Sequence, residues 1–412
     1  MKYNHMSNSV KNILLVCNTY LPNLGGAELH LQSLCDGFVA EKKNVVLYVI
    51  GNDSPEIRKF DMVQPYTIIR DNVTQGPCRQ LRSAIHFRKN VLKYISEYRI
   101  DVINITTAYA YPLLLRFKKD IHVPIIFTAH NVPPEECGLS RRNDSRLIRI
   151  LERIYFKILK IYVRIVIRFG RYDSIITISK NTQIKLIHSG AKEEKITIIP
   201  CGIRLPNPID ILEYRMPGNY SSRFVLMTTA GIIKHKGQLE LVKAIEMLIP
   251  SIPNIVSILV GPTRSEEYFN EIKEYIASHN LEEHVVLTGP LSNDDLERYF
   301  SVCDIYVQPS YQEGFCIAIM EGMIHKLPAI GTSVGAIPEL LSDGKGILIS
   351  KPDPKDIAEA VLKYYTDEKL RDGCALAGYR YVLNTYSTKR MVDETLKHYE
   401  NTCNRKQCLI LD

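Results

Sequence analysis

The sequence predicts an α/β protein built from two successive β/α/β domains that face a central cleft, and three observations carry this prediction. A chain of 412 residues exceeds what one hydrophobic core normally organises. Short apolar runs of strand length alternate with helical patterns along both halves, which is typical of parallel sheets. The proline-rich stretch Arg204-Leu-Pro-Asn-Pro208 separates the two series. We therefore expect a first domain over residues 1–205 and a second over 206–375.

The composition excludes several classes of protein. With 45% hydrophobic and 24% charged residues the chain is globular. No apolar run approaches about twenty residues, so a membrane-spanning helix is not expected, and no secretory signal is recognisable. The ten cysteines form no Cys-x-x-Cys pair, which favours a reduced, cytoplasmic protein without a zinc site. There is no Asp-x-Asp motif, so we expect neither a metal nor another cofactor.

Candidate ligand loops of the first half follow predicted strands, because ligands bind at the carboxyl ends of strands in open α/β sheets. Asn12-Ile-Leu-Leu-Val-Cys17 is a predicted strand, and Gly25-Gly26 lies beyond it at the start of a helix. Such glycines let a phosphate approach free amides, although a tight turn is the simpler interpretation of the pair alone. The strand Pro124-Ile-Ile-Phe-Thr128 delivers His130 to the same edge. A lone histidine is more often structural, but this position favours a binding role.

A long basic helix is predicted over residues 145–169. Between residues 141 and 171 the chain has ten Lys/Arg and two acids, whereas the whole chain carries only +7. The basicity is therefore local, and a nucleic-acid partner is not indicated. The basic residues recur at steps of three and four and line one stripe, with apolar residues on the other faces. Two interpretations stay open: a half-buried helix with a solvated stripe, or an amphipathic helix on an anionic membrane surface.

The second half begins with the predicted strand Phe224-Val-Leu-Met-Thr-Thr-Ala-Gly231. Its following loop ends in Lys236-Gly237 at the start of a helix. A flexible ammonium beside free backbone amides suits a phosphate, whereas a solvated loop lysine is the plain alternative.

Two carboxylates stand in the stretch Pro309-Ser-Tyr-Gln-Glu-Gly-Phe-Cys-Ile-Ala-Ile-Met-Glu321. Glu313 follows a predicted strand, and Gly314 permits a tight turn before a helix. We expect three amides to point out of that helix N-terminus, namely those of Phe315, Cys316 and Ile317. Glu321 is expected about two turns into the helix. The two carboxylates could hold two parts of one polyhydroxylated ligand, or be ordinary acids favoured by the helix dipole.

Together these motifs resemble the retaining glycosyltransferases of family 4, which have the GT-B fold of two Rossmann-like domains. The resemblance follows nearly the whole chain in order, through Gly25-Gly-Ala-Glu28, Ala129-His-Asn131, Ile178-Ser179, Ile199-Pro-Cys-Gly-Ile203, Lys236-Gly237, Gly289, Glu313-Gly-Phe with Glu321, and Val334-Gly-Ala-Ile-Pro-Glu339. It implies transfer of a sugar from a nucleoside-diphosphate sugar, with a UDP-sugar favoured and no metal required.

The resemblance also implies roles for individual residues. As catalytic residues, His130 would touch the donor sugar, Lys236 would neutralise the leaving diphosphate, and Glu313 would hold sugar hydroxyls. Glu321 would hold the ribose. The other implied donor-binding positions are Gly25, Gly26, Gly314, Phe315, Cys316 and Gly335. The family typically carries an arginine five or six residues before the lysine, where this chain has Gly231 and Ala230. That departure leaves Lys236, with Lys234 or His235, as the cations of the loop.

The resemblance and the basic helix together suggest a wider setting. Residues 376–400 would form a C-terminal helix that crosses back to the first domain, followed by a mobile tail over 401–412. The acceptor would be a glycan or a lipid-linked glycan at the inner face of the plasma membrane, in bacterial lipopolysaccharide, capsule or exopolysaccharide biosynthesis. Two other classes stay open. One is another GT-B enzyme, such as a UDP-sugar epimerase or a phosphorylase, and the other is a non-catalytic carbohydrate- or membrane-binding module.

Overall fold

The computed structural model describes residues 9–21, 25–50, 54–71, 79–106, 109–132, 146–203, 205 and 220–411. Residue 145 of the basic helix and the predicted linker 204–208, apart from Leu205, lie outside the described residues. The chain divides into two units, which we call unit 1 and unit 2. Unit 1 consists of Met1–Gly202 with Thr388–Asp412, and unit 2 of Ile203–Ser387.

Unit 1 is organised around a sheet of seven parallel strands. In chain order these are β1 (Asn12–Cys17), β2 (Asn44–Val49), β3 (Thr67–Arg70), β4 (Val102–Thr106), β5 (Ile125–Ala129), β6 (Ser174–Thr177) and β7 (Ile196–Ile198). Across the sheet their order is β3-β2-β1-β4-β5-β6-β7. Because both faces are covered, the central strands are continuous apolar runs rather than alternating ones.

Helices cover the two faces of this sheet. They are α1 (Gly26–Ala40), α2 (Pro55–Met62), α3 (Arg79–Glu97), α4 (Ala110–Leu115), α5 (Arg146–Phe169), α6 (Lys180–His188) and the last helix in the chain, α14 (Thr388–Leu411). Leu14 and Val16 of β1 belong to the core that takes Phe87 from α3 and Val163 from α5. The alternate residues of β1 point to the opposite face, whose core is shared with α1 and α14.

Unit 2 repeats the arrangement with six parallel strands. They are β8 (Phe224–Thr229), β9 (Ile255–Val260), β10 (Val285–Gly289), β11 (Ile305–Gln308), β12 (Ala329–Thr332) and β13 (Ile347–Ile349), in the order β10-β9-β8-β11-β12-β13. The helices are α7 (Gln238–Leu248), α8 (Glu266–Ser278), α9 (Asn293–Ser301), α10 (Ile317–Ile324), α11 (Ile337–Leu341), α12 (Pro354–Thr366) and α13 (Glu368–Thr385). The predicted fold class, two parallel α/β domains, is confirmed.

Each sheet reverses its strand order at one place. In unit 1 the reversal falls between β1 and β4, and in unit 2 between β8 and β11. At such a switch point the two flanking connections leave toward opposite faces, so a crevice opens outside the carboxyl ends of the strands. Lys236 follows β8 and Glu313 follows β11. Both residues therefore belong to the switch point of unit 2.

The C-terminal segment returns to unit 1 at Thr388 rather than at residue 376. Helices α13 and α14 are separate, and the break at Tyr386 is held by the Ile203 N–H, which donates to the Tyr386 carbonyl at 2.8 Å. Helix α14 packs closely on α1. The contact leaves no room for a side chain at Gly37, where a Cβ would lie 2.3 Å from a Val392 methyl. The helix runs on to Leu411, so residues 401–411, expected as a mobile tail, are helical. No helix within the described ranges is long and apolar enough to cross a bilayer.

Candidate active site

Lys236 and Glu313, the predicted catalytic residues of unit 2, contact each other. Lys236 ends a short 3₁₀ turn, and its Nζ lies 2.8 Å from Glu313 Oε1. The side chain of Glu313 is 7% exposed and that of Lys236 is 23% exposed. Partial removal from water strengthens a charge-assisted hydrogen bond of this kind. One ion pair thus joins the two loops of the switch point.

A buried chain of hydrogen bonds ends on the same carboxylate. The Thr229 amide donates to the Tyr306 hydroxyl at 3.2 Å, and Tyr306 donates to Gln308 Oε1 at 3.0 Å. Gln308 Nε2 donates to Ser310 Oγ at 2.9 Å and to Glu313 Oε1 at 3.3 Å. Ser310 donates to Glu313 Oε1 at 2.8 Å. Every donor in this series of hydrogen bonds points toward the carboxylate. The bonds therefore reinforce one another and hold the Glu313 side chain in place.

Gln308 and Ser310 were missed by reasoning from the sequence. Both are at most 1% exposed. Their signal in the sequence was the polar pair that flanks Pro309 directly after an apolar strand. Nothing local indicated that both side chains turn toward Glu313.

Two glycines shape the loops around this pair. Gly237 has a φ of +70° and caps α7, and a Cβ there would lie 1.8 Å from the Pro309 carbonyl oxygen. Gly335, a predicted donor-binding residue, has a φ of +58°, and its Cβ would lie 2.2 Å from the Glu313 carbonyl oxygen. Both positions combine left-handed backbone with a close backbone approach, which only glycine satisfies. The structure therefore places Gly335 directly behind the loop of Glu313.

Cys316 caps the N-terminus of α10 in a strained conformation. Its φ of 69° and ψ of 65° lie in the left-handed region, which residues with a Cβ avoid. Burial raises the pKa of its thiol well above the ordinary value, the charge of Glu313 adds to this, and Lys236 opposes it. The thiol is therefore neutral.

Neighbouring residues brace the same turn. The Gly314 carbonyl accepts a hydrogen bond from the Ala336 N–H at 3.0 Å. Phe315 is buried, and its ring packs edge-on against Tyr386 at a centroid distance of 5.6 Å. The predicted donor-binding residues 314–316 thus lie together with Glu313, and the side chains of Phe315 and Cys316 are buried in unit 2.

Glu321 lies about one turn inside α10, not two as predicted. The helix begins at Ile317, so half of the eight-residue spacing from Glu313 is loop. Burial raises the pKa of the Glu321 carboxyl, while the charge of His325 lowers it. His325 Nε2 lies 2.6 Å from Glu297. Burial is the largest single influence and lowers the pKa of His325, but the hydrogen bonds with Glu297 and the Glu321 backbone, together with the charges of both carboxylates, make the net shift upward. These contacts favour the protonated form of the imidazole beside the Glu321 carboxyl.

In unit 1 the predicted glycine pair begins α1. Gly25 is the N-cap and Gly26 the first helical residue. The φ of Gly25 is −162°, an extended value that any residue adopts, so its backbone conformation does not require glycine. A Cβ there would lie 2.4 Å from Glu28 Oε2, and Glu28 accepts a hydrogen bond from the Thr19 hydroxyl. The helix has no side-chain cap, which leaves its first amides suited to an anion.

His130 is buried at the end of β5 beside a second histidine. Its ring meets that of His30 edge to face, with centroids 4.6 Å apart. Burial lowers the pKa of His130 to about 4, and burial together with His130 lowers the pKa of His30 well below its ordinary value, so both are neutral at pH 7. Among the described residues, His130 Nε2 and His30 Nδ1 find no hydrogen-bond partner. Buried polar atoms are normally paired, so both suit a ligand hydroxyl.

His30 could not be found from the sequence. It occupies a buried position of α1 among leucines, where a histidine looks like part of the core. As for metals, the described His, Cys, Asp and Glu side chains form no group of three that could hold an ion. The absence of a metal requirement stays a prediction.

Helix α5 has three faces over residues 154–169, the part whose side chains are described. One face is buried and contains Val163, Val166 and Ile167. The second exposes Lys157, Lys160, Arg164 and Arg168. The third, which we call the apolar stripe, consists of residues 41–61% exposed: Ile154, Ile158, Ile161 and Ile165. At about 100° per residue the apolar stripe lies beside the basic one. The sequence did not separate these isoleucines from the buried residues, and the predicted basic residues Arg146, Arg149 and Arg153 lie outside the described side chains.

Two doubly wound parallel sheets in one chain are the architecture of the GT-B class of glycosyltransferases. Two family models match, Glycosyltransferase Family 4 over residues 24–205 and Glycosyl transferases group 1 over residues 215–381. The chain belongs to this family of glycosyltransferases.

Similar proteins agree with this assignment. An uncharacterized glycosyltransferase of Methanocaldococcus jannaschii is 23% identical over 400 residues, which cover 94% of this chain and 97% of the relative. The capsular polysaccharide biosynthesis glycosyltransferase CapM of Staphylococcus aureus is 28% identical over 258 residues, covering 60% of this chain and 66% of CapM. The crystal structure of Anabaena HepE in complex with UDP has a TM-score of 0.75 at 18% identity, covering 95% of this chain and all of HepE.

Proposed function

We propose that the protein transfers a sugar from a nucleoside-diphosphate sugar, with a UDP-sugar favoured, to a glycan or lipid-linked glycan acceptor, with retention of configuration. The observation that carries this proposal is the Lys236–Glu313 pair at the switch point of unit 2. The structures of Anabaena HepE with UDP and with UDP-glucose support the choice of donor. The similarity to a capsular polysaccharide enzyme supports a role in bacterial surface polysaccharides, including lipopolysaccharide and exopolysaccharide.

The proposed reaction requires stabilisation of the negative charge on the departing diphosphate. As the glycosyl–oxygen bond breaks, the sugar gains oxocarbenium character and the diphosphate oxygens gain charge. The Lys236 ammonium and the first amides of α10 would supply fixed positive potential for those oxygens, and in this proposal the first amides of α1 in unit 1 would bind the same diphosphate. Within unit 2 the Lys236 ammonium is already held by Glu313 before the reaction, so this group needs little reorganisation as the bond breaks.

Positioning of the sugar falls to Glu313. Its Oε1 is held by Lys236, Ser310 and Gln308, and its other oxygen accepts sugar hydroxyls. In this proposal neutral His130 of unit 1 would contact the donor sugar through Nε2, and Glu321 would accept the ribose hydroxyls. No side chain of this set attacks the sugar. Retention then follows from attack of the acceptor on the face that the diphosphate leaves, with the leaving phosphate taking the acceptor proton, and no metal is needed.

Turnover of purified variants tests this proposal. Lys236→Ala and Glu313→Ala should each lower transfer by orders of magnitude while the protein stays folded, and EDTA should leave wild-type turnover unchanged. Lys273→Ala, which removes an exposed cation from the middle of α8, is the matched control. A folded Glu313→Ala protein with full activity would reject the assignment. The anomeric configuration of the product, read by NMR, decides retention.

The same assays separate the other enzyme classes. An epimerase would convert the donor sugar without an acceptor, and a phosphorylase would require inorganic phosphate. A non-catalytic module would leave the nucleotide sugar intact and would tolerate both substitutions.

We further propose that the enzyme is cytoplasmic and binds the inner face of the plasma membrane through α5. Its apolar stripe can enter the headgroup boundary while the adjacent cations contact anionic lipid. Flotation with phosphatidylglycerol vesicles should show salt-sensitive binding that is absent with phosphatidylcholine alone. Ile158→Ser/Ile161→Ser should abolish it, whereas Ile184→Ser, at an isoleucine of α6 that is 46% exposed, should not. Equal recovery of all variants with both vesicles would contradict this placement.

A further inference from the structure

Two loops of unit 2 are fastened together at the carboxyl edge of its sheet. Ile232, after β8, and Thr263, after β9, form a parallel bridge. The Ile232 N–H donates to the Pro262 carbonyl at 2.9 Å, and the Ile232 carbonyl accepts the N–H groups of Arg264 and Ser265, both at 3.1 Å. The pairing of β8 with β9 thus continues beyond the ends of the strands. It holds the backbone of Arg264 in fixed register with the loop that carries Lys236.

The side chain of Arg264 lies across Gly231. A Cβ on Gly231 would lie 2.8 Å from Arg264 Cγ and 3.6 Å from its Nε. Gly231 is not among the residues with positive φ, so its backbone conformation does not explain the glycine. The missing side chain instead makes room for the arginine stem. Arg264 is an exposed residue, and its side chain lies over the β8 loop at Gly231, five residues before Lys236.

The charge balance of the switch point suggests a role for Arg264 at this position. Lys236 is paired with Glu313, so the pair contributes no net charge to the switch point. A nucleoside diphosphate carries more than one negative charge and needs a further cation. A guanidinium is permanently charged and its planar fork matches phosphate oxygens. Glu266 and Glu267 in the first turn of α8 oppose anion binding by the free amides of that helix, so the arginine side chain is the group of this loop that could bind an anion.

We propose that Arg264 binds the diphosphate of the nucleotide-sugar donor, supplying from the β9–α8 loop a cation that the β8 loop itself lacks at Gly231. This inference rests on the proposed function. It adds a residue that neither charge patterning nor motif spacing singled out, because contact between positions 231 and 264 exists only in the folded unit.

Calorimetric binding of UDP and UMP to the full chain tests the proposal, with GDP/GMP and ADP/AMP measured in the same way. Arg264→Ala should weaken diphosphate binding at least tenfold and monophosphate binding much less, and Arg264→Lys should fall between. Gly231→Ala should weaken diphosphate binding by displacing the stem, and should have no further effect when Arg264 is already alanine. Lys273→Ala on the same helix is the control.

The outcomes distinguish this inference from the proposed function. One outcome overturns this inference alone: wild type binds a diphosphate, Lys236→Ala weakens that binding, and Arg264→Ala does not. Arg264 would then be only structural, and the proposed function would stand. A change in the melting temperature of Arg264→Ala without a change in its diphosphate affinity would also show that Arg264 is only structural. If wild type binds no nucleoside diphosphate, both fail. Additive effects of Gly231→Ala and Arg264→Ala would refute the steric part.

Discussion

Removing the Glu313 carboxylate tests the hydrogen-bond network and the site together. In Glu313→Ala the buried Ser310 hydroxyl loses its acceptor, which costs about 1–3 kcal/mol. Gln308 Nε2 keeps Ser310 Oγ as a partner and adds little. Lys236 is 23% exposed and can turn to water, so losing its partner costs only about 1 kcal/mol. We expect unit 2 to lose roughly 2–4 kcal/mol, a fall in Tm of roughly 5–10 °C.

Glu313→Gln is the matched variant, because it keeps the side-chain shape and an acceptor oxygen for Ser310. It should lose about 1 kcal/mol from the missing charge. Turnover should fall in the same order, with Glu313→Ala lowest at about 10²–10³ below wild type. Differential scanning calorimetry and a transfer assay on one preparation measure both quantities. The reasoning is refuted if Glu313→Ala melts within a degree of wild type, or if the glutamine variant is as unstable as the alanine variant.

Three further changes probe other parts of the fold. His130 has a folded pKa of about 4 against about 6.5 unfolded. The unfolded chain therefore takes up the proton first, and stability that is complete above pH 6.5 declines as pH falls toward 4. Urea unfolding should show a loss of about 2 kcal/mol between pH 7 and pH 5 that shrinks in His130→Gln. Gly335→Ala should reduce turnover at least tenfold by pushing on the Glu313 carbonyl, whereas Gly344→Ala, with φ +77° and open space, should cost about 1 kcal/mol and leave turnover unchanged. Gly37→Ala should destabilise unit 1 by about 1–3 kcal/mol through contact with α14 and spare donor binding, measured by calorimetry with UDP.

The strands were the part of the fold that the sequence could predict. Continuous apolar runs mark buried parallel strands whatever their neighbours are, and β1 has the predicted bounds. The edge strand β3 was missed because Thr67–Arg70 is only partly buried and is not an apolar run. The break between α13 and α14 was missed because it depends on pairing with a segment that is distant in the sequence. Ile203 pairs with the chain at Ser387, and no local pattern contains that partner.

For the site, the sequence could predict which loops matter but not how the side chains meet. Lys236 and Glu313 were chosen because each follows a strand, and the strand order then brought them within 2.8 Å. The roles assigned to them and to the donor-binding residues remain predictions. The hydrogen bonds of Gln308 and Ser310 to Glu313 could not be predicted, because they depend on the direction in which a buried amide side chain points. Helix α5 shows the same limit, because Ile158 and Val163 look alike in the sequence and only packing exposes one and buries the other.

The division of the chain sets the order in which the protein can be completed during synthesis. Unit 2 is continuous, whereas one core of unit 1 includes Met391 and Tyr399 of α14. That core stays open until α14 leaves the ribosome, roughly 10–40 s after residue 202 has been made at about 5–20 residues per second. The unit that begins first is thus finished last, and its uncovered apolar surface in that interval is where a chaperone would act and where aggregation would start.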